Sequence, residues 1–153
     1  MHLSEVFTGL GEDTLDQLLK GVSMGKLKTY QLYERMKLRT HLSKLSSTTL
    51  RAAGPRLMQR MAAGDQELAT ELSQAILISH FDMIVAVLNF LGIPHEEGFF
   101  VKDLDPSGYL TEGWKERVFG EFHGKFPDGL LLFYINHLAV ELLKADSVFL
   151  PAA

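Results

Sequence analysis

Hydrophobic positions recur along the chain at helical spacing throughout. Gly11 and Gly21 bracket a first segment, Glu12 to Lys20, in which Asp13 can cap and Leu15, Leu18 and Leu19 share one face. A longer helix is expected from about Lys26 to Leu45, broken or re-capped by Ser46-Ser47-Thr48-Thr49, whose side chains compete for backbone hydrogen bonds. Gly54-Pro55 stops the next turn and opens a short helix ending near Ala63. Gly64 then closes that helix and Asp65 caps the next.

The segment from Gln66 to Leu91 reads as one continuous helix at the centre of the fold, ended by Gly92 and Pro94. At 100° per residue, Glu71, Asp82 and Asn89 fall on a narrow polar stripe beside Ala75 and Ala86, and His80 falls on the apolar side with Ile76, Ile84 and Val87. His95-Glu96-Glu97 is expected to open a short helix, its acids suiting the N-terminal dipole, and Asp103 to Tyr109 reads as a loop. Thr111 caps a helix to about Phe126. Phe126-Pro127-Asp128-Gly129 makes a turn, and a last helix runs from about Leu130 to Ala145. The pattern predicts an all-α single domain over residues 1–153, a bundle of about six to seven helices with a buried central helix.

Composition narrows the chemistry more than the fold. At 153 residues the chain can bury a core without staples, and the absence of cysteine removes disulfides, thiol catalysis and thiolate metal sites. The first residues, Met1-His2-Leu3-Ser4-Glu5, do not resemble a signal peptide. The apolar tract Ile76 to Leu91 carries Asp82, which disfavours a membrane span, so a cytoplasmic protein is expected.

Several short patterns carry potential chemistry. Gly21-Val22-Ser23-Met24-Gly25 matches the G-x-S-x-G of a nucleophile elbow but follows a helix instead of a strand, so it reads as an interhelical turn. Asp103 to Trp114 resembles an EF-hand calcium loop, with Asp103, Asp105 and Ser107 at its first three ligand positions. Position 12 is Trp114, not the bidentate glutamate. No histidine has a glutamate three residues before it, which removes the di-iron carboxylate pattern. His137 and Glu141, with Tyr134 on the same stripe, read as a surface i,i+4 pair. Asp82 has three readings: a stripe facing water, a partner from the basic residues between Lys26 and Arg60, or a polar pocket of Glu71, Asp82, Asn89 and His137.

The net charge of -4 conceals a strong asymmetry. Residues 20–60 hold ten Lys or Arg against the single acid Glu34, while the remainder is acidic. Arg35, Lys37, Arg39, Lys44, Arg51 and Arg56 are the candidate anion-binding residues. They form no single stripe: Lys26, Lys37 and Lys44 fall opposite Lys28, Arg35 and Arg39, and only Tyr30 and Tyr33 are interleaved.

The sequence therefore favours a non-enzymatic helical module, without cofactor, that binds a protein or itself as a homo-oligomer. One alternative is a nucleic-acid-binding regulator acting through the basic segment. Another is a small-molecule or metal site in the bundle near Asp82.

Overall fold

The computed structural model describes residues 1–29, Met36 and residues 46–151. It is all-α in class, with nine α-helices among the described residues. In chain order these are α1 (Leu3–Leu10), α2 (Glu12–Lys20), α3 (Met24–Thr29), α4 (Ser47–Ala52), α5 (Gly54–Ala62), α6 (Gln66–Ile78), α7 (Phe81–Leu91), α8 (Trp114–Phe122) and α9 (Asp128–Leu143). A two-stranded antiparallel hairpin, β1 (His95–Glu96) and β2 (Phe99–Phe100), lies between α7 and α8. The helix expected to continue past Thr29 toward Leu45 falls outside the described residues.

Helix α2 and the turn into α5 follow the local signals, except that Gly11 and not Asp13 is the N-cap of α2 and Asp13 lies in its first turn. Leu15, Leu18 and Leu19 are buried together, and Pro55 stands in the first turn of α5. The Asp65 side chain accepts from Leu68 N (3.0 Å) as the cap of α6. Helix α1 is an addition to the expected pattern. Its Glu5 reaches back to accept from the His2 N–H (3.3 Å), and Val6 and Phe7 are fully enclosed against α9, α5 and α6.

The largest departure is at the centre. The expected helix from Gln66 to Leu91 is two helices meeting at 87°. Ser79 and His80 form the break, and several of the groups around it find partners. Ser79 Oγ donates back to Ala75 O (2.8 Å) and accepts from Ser23 N (2.9 Å). Lys26 Nζ donates to Ile78 O (2.6 Å), placing a cation at the C-terminal carbonyls of α6, and lies 5.1 Å from the Phe81 ring centroid. The G-x-S-x-G segment is the strap that carries this pairing. Ser23 Oγ accepts from Lys26 N (3.3 Å) and so caps α3 instead of presenting a nucleophile. No single helix among the described residues is long and apolar enough to cross a membrane; α6 and α7 pass that test only as a bent pair.

The short helix expected at His95 is instead the β1–β2 hairpin. Glu97 (φ 51°) and Gly98 (φ 93°) both take positive φ, the requirement of a primed two-residue turn. The hairpin is tied to α7 through His95: Gly98 N donates to Nδ1 (3.0 Å), so Nε2 carries the proton and donates to Asn89 Oδ1 (2.7 Å). Helix α8 is shorter than expected, because Gly113 and Gly124 at its two ends take positive φ.

Helix α9 is apolar on nearly every side, and Leu130, Leu131, Phe133, Ile135, Leu138 and Ala139 are all buried. Its one fully enclosed polar residue, Asn136, is completely paired. Nδ2 donates to Leu132 O (2.8 Å) and Phe149 O (3.1 Å), and Oδ1 accepts from Phe149 N (2.6 Å). Asn136 thereby imitates a strand partner and fixes the segment after α9 onto the core.

Replacing Asn136 by Ala strands the Phe149 amide and carbonyl. We expect a loss of about 2–3 kcal/mol in chemical denaturation, since unpaired buried groups carry their full desolvation cost. Amide exchange at Phe149 should accelerate by orders of magnitude; unchanged protection there would show that packing alone holds the segment.

Candidate functional site

The 87° turn from α6 to α7 leaves a space inside the angle that the hairpin and α9 only partly fill. The result is a cleft of about 500 Å³. Helix α6 contributes Thr70, Ser73, Gln74, Leu77 and Ile78, and α7 contributes Phe81 and Ile84. The hairpin adds Gly98, Phe99 and Phe100, helix α9 adds Tyr134, His137 and Glu141, and Leu3 comes from α1. Gly98 matters sterically as well as conformationally: a Cβ there would lie 3.3 Å from Ile84 Cγ2. Phe99 packs at a tilt against Phe81 (centroids 6.0 Å apart) yet is 65% exposed at the mouth.

The apolar wall is interrupted by Thr70, Ser73 and Gln74 from α6 and by a polar row from α9. Ser73 is buried, and its Oγ has no hydrogen-bond partner among the described residues. His137 is also buried, between the Phe133 and Tyr134 rings, with centroids 5.7 and 6.5 Å away. Its Nδ1 lies 3.4 Å from Glu141 Oε2 without the geometry of a hydrogen bond. Burial drives the His137 pKa down to about 4, so the imidazole is neutral near neutral pH. Tyr134 is pushed upward, first by burial and then by the Glu141 charge, and remains a phenol. Glu141, half-exposed at the rim, has its carboxyl raised by desolvation. The expected surface pair is thus a buried histidine with a carboxylate at its open end.

The four residues proposed to share a pocket are not brought together. His137 lines the cleft. Asp82 is exposed in the first turn of α7, where the helix dipole favours an acid, and lines a separate shallow hollow with Val85, Ala86, His95 and Glu97. Asn89 holds His95 and so supports the hairpin. Glu71 is half-buried on α6 and lines neither of these spaces. The single stripe existed only for an unbroken helix.

In the EF-hand-like loop, Asp105 accepts from Ser107 N (3.0 Å) and Ser107 Oγ (2.8 Å), capping its own 3-10 turn. Asp103 takes φ 60°, and Trp114 is buried as the first residue of α8. Among the described residues, no three His, Asp or Glu side chains converge as a metal site would require.

The basic segment is partly neutralised from within. Arg51 makes a two-pronged pair with Asp16 (2.9 and 2.7 Å). Arg60 bonds Asp65 and Met36 O (2.8 Å), and Lys26 holds the α6 terminus. Arg56 is exposed. Arg35, Lys37, Arg39 and Lys44 lie outside the described residues.

Sequence reasoning missed Ser73 and the aromatic residues Phe81, Phe99 and Phe100. Phe99 and Phe100 did carry a signal, since they follow a glycine that a hairpin could use.

The buried histidines set an acid limit. Desolvation lowers His137, and desolvation aided by the Lys26 charge lowers His80. Both are protonated more readily in the unfolded chain, so their stabilisation is complete above the unfolded value near 6.5 and is lost as pH falls toward about 4. Glu141, raised in the fold, acts in the opposite sense and offsets part of the loss. For His137 the loss is about 3 kcal/mol at most, at roughly 1.4 kcal/mol per pH unit. Thermal melts between neutral pH and pH ~4.5 should show a steeper decline for the parent chain than for His137→Gln, as a His with a depressed pKa requires. Parallel declines would sink the assignment. The chain matches no protein-family model, and comparison with curated proteins and with solved structures finds no match.

Proposed function

We propose that the protein is a helical ligand-binding module whose cleft between α6, α7, the hairpin and α9 takes a small, mainly apolar molecule with one hydrogen-bonding end. The observation that carries this reading is the composition of the wall: an apolar hollow of about 500 Å³ with two buried polar side chains, Ser73 and His137, that have no hydrogen bond of their own. Leaving such groups unpaired costs on the order of 1–3 kcal/mol each, a cost that a bound polar atom removes. A few convergent polar groups on an apolar wall are the usual composition of small-molecule pockets. The neutral imidazole can donate from one ring nitrogen and accept at the other, so it suits a hydroxyl, carbonyl or amine.

This reading replaces a shared pocket at Asp82 with one centred on His137. The interaction and nucleic-acid readings of residues 20–60 rest on charge alone. Arg51, Arg60 and Lys26 are already engaged within the chain.

Titration with Nile red, a neutral apolar dye, tests the cleft. Saturable binding with blue-shifted emission is expected. Leu77→Trp, which fills the hollow from its half-buried wall, should weaken it by about tenfold or more while the far-ultraviolet circular dichroism stays helical. Binding that never saturates, or that ignores Leu77→Trp, would refute the reading.

A further inference from the structure

We infer that the cleft selects by headgroup charge, taking an amphiphile whose polar end is neutral or cationic and rejecting an anionic one, with Glu141 as the specificity-determining residue. The inference deepens the ligand-site reading and rests on it. Among the described residues, the lining carries one acidic side chain, Glu141, and neither lysine nor arginine. Glu141 stands at the rim, 52% exposed, and its Oε2 lies 3.4 Å from His137 Nδ1, so a polar end that reaches the imidazole sits beside its carboxylate.

An anionic headgroup would enter beside a like charge with no cation to meet it, and desolvation would go uncompensated. Lys26 does not relieve this: its ammonium holds Ile78 O (2.6 Å) and is not part of the lining. His137 adds no positive charge near neutral pH, because burial holds its pKa near 4. For a cationic end the same features are favourable. Glu141 supplies the counter-charge, and the rings of Phe81, Phe99, Phe100 and Tyr134 line the same space as electron-rich surfaces for an ammonium. The apolar body would lie along Leu77, Ile78 and Ile84.

Displacement of Nile red by decylamine, decanol and decanoate, each kept below its micelle concentration near neutral pH, separates charge from chain length. We expect the order amine, alcohol, carboxylate, with the amine about tenfold tighter than the carboxylate, as a half-exposed ion pair plus cation–π contact allows. Glu141→Gln should collapse the amine-to-alcohol ratio toward one, and Glu141→Lys should make decanoate the tightest of the three. Melting curves of the variants confirm that the rim substitutions leave the fold in place. Decanoate binding as tightly as decylamine, or an amine-to-alcohol ratio unmoved by Glu141→Gln, overturns the selectivity while leaving the cleft a ligand site. If neither the dye nor any of the three binds, the ligand-site reading fails and the selectivity falls with it.

Discussion

A helix cannot turn through 87° in two residues without exposing carbonyl and amide groups, and the fold depends on how those groups are met at Ser79 and His80. The partners come from far away in sequence. Lys26 in α3 and Ser23 on the strap before it reach the end of α6 and the side chain of Ser79. Once the angle is fixed, α7 leaves the end of α6 nearly at a right angle. Phe81 and Ile84 then face the same hollow as Leu77 and Ile78. A straight helix would have given a longer core seam and no concave wall. The bend is therefore both a structural irregularity and the origin of the site, and its satisfaction by a basic side chain explains one member of the basic segment without invoking an outside partner.

Two neighbouring polar residues on α9 illustrate how the interior divides its labour. Asn136 and His137 are both buried on a helix with apolar residues on nearly every side. Every hydrogen-bonding atom of the Asn136 side chain is used in fixing Phe149 or closing onto Leu132, so this residue belongs to the architecture. His137 makes no comparable bonds and is held between aromatic rings at the edge of a cavity. A structural polar group is usually fully satisfied, because a half-satisfied one is worse than an apolar replacement. The contrast across one peptide bond separates the residue that builds from the residue that waits for something to bind.

The helical class, the bounds of α2, the Asp65 cap and the start of α5 were legible because each depends on local chemistry: spacing, a glycine, a proline, a short polar side chain. The break in α6–α7 was not, since Ser79 and His80 are tolerable inside a helix and the partners that meet the bend, Lys26 and Ser23, are distant in sequence. That one error moved the site. A stripe through Glu71, Asp82 and Asn89 requires a common axis, and two helices at right angles have none. The hairpin is hidden for a related reason: Glu96 and Glu97 suit a helix start, whereas the turn at Glu97 depends on the pairing of β1 with β2 and on the His95 bonds to Gly98 and Asn89. His137 was seen, but the pattern of one helix could not reveal that α6 and the hairpin would cover it.

The close packing of the chain's two sides at α1 has a kinetic meaning. Val148 lies so near α1 that a Cβ on Gly9 would come within 2.6 Å of its Cγ2, and the Phe7 ring packs at a tilt on Phe133 with centroids 5.3 Å apart. Helix α1 packs on α5 and α6 as well as on α9, and of these its contacts with α9 and with Val148 span the greatest sequence separation. Contacts of such long sequence separation are closed late, because the entropy of the intervening loop must be overcome before they reward the chain. Val6 and Phe7 are therefore covered completely only when α9 docks, and that docking closes the core on this side of the fold.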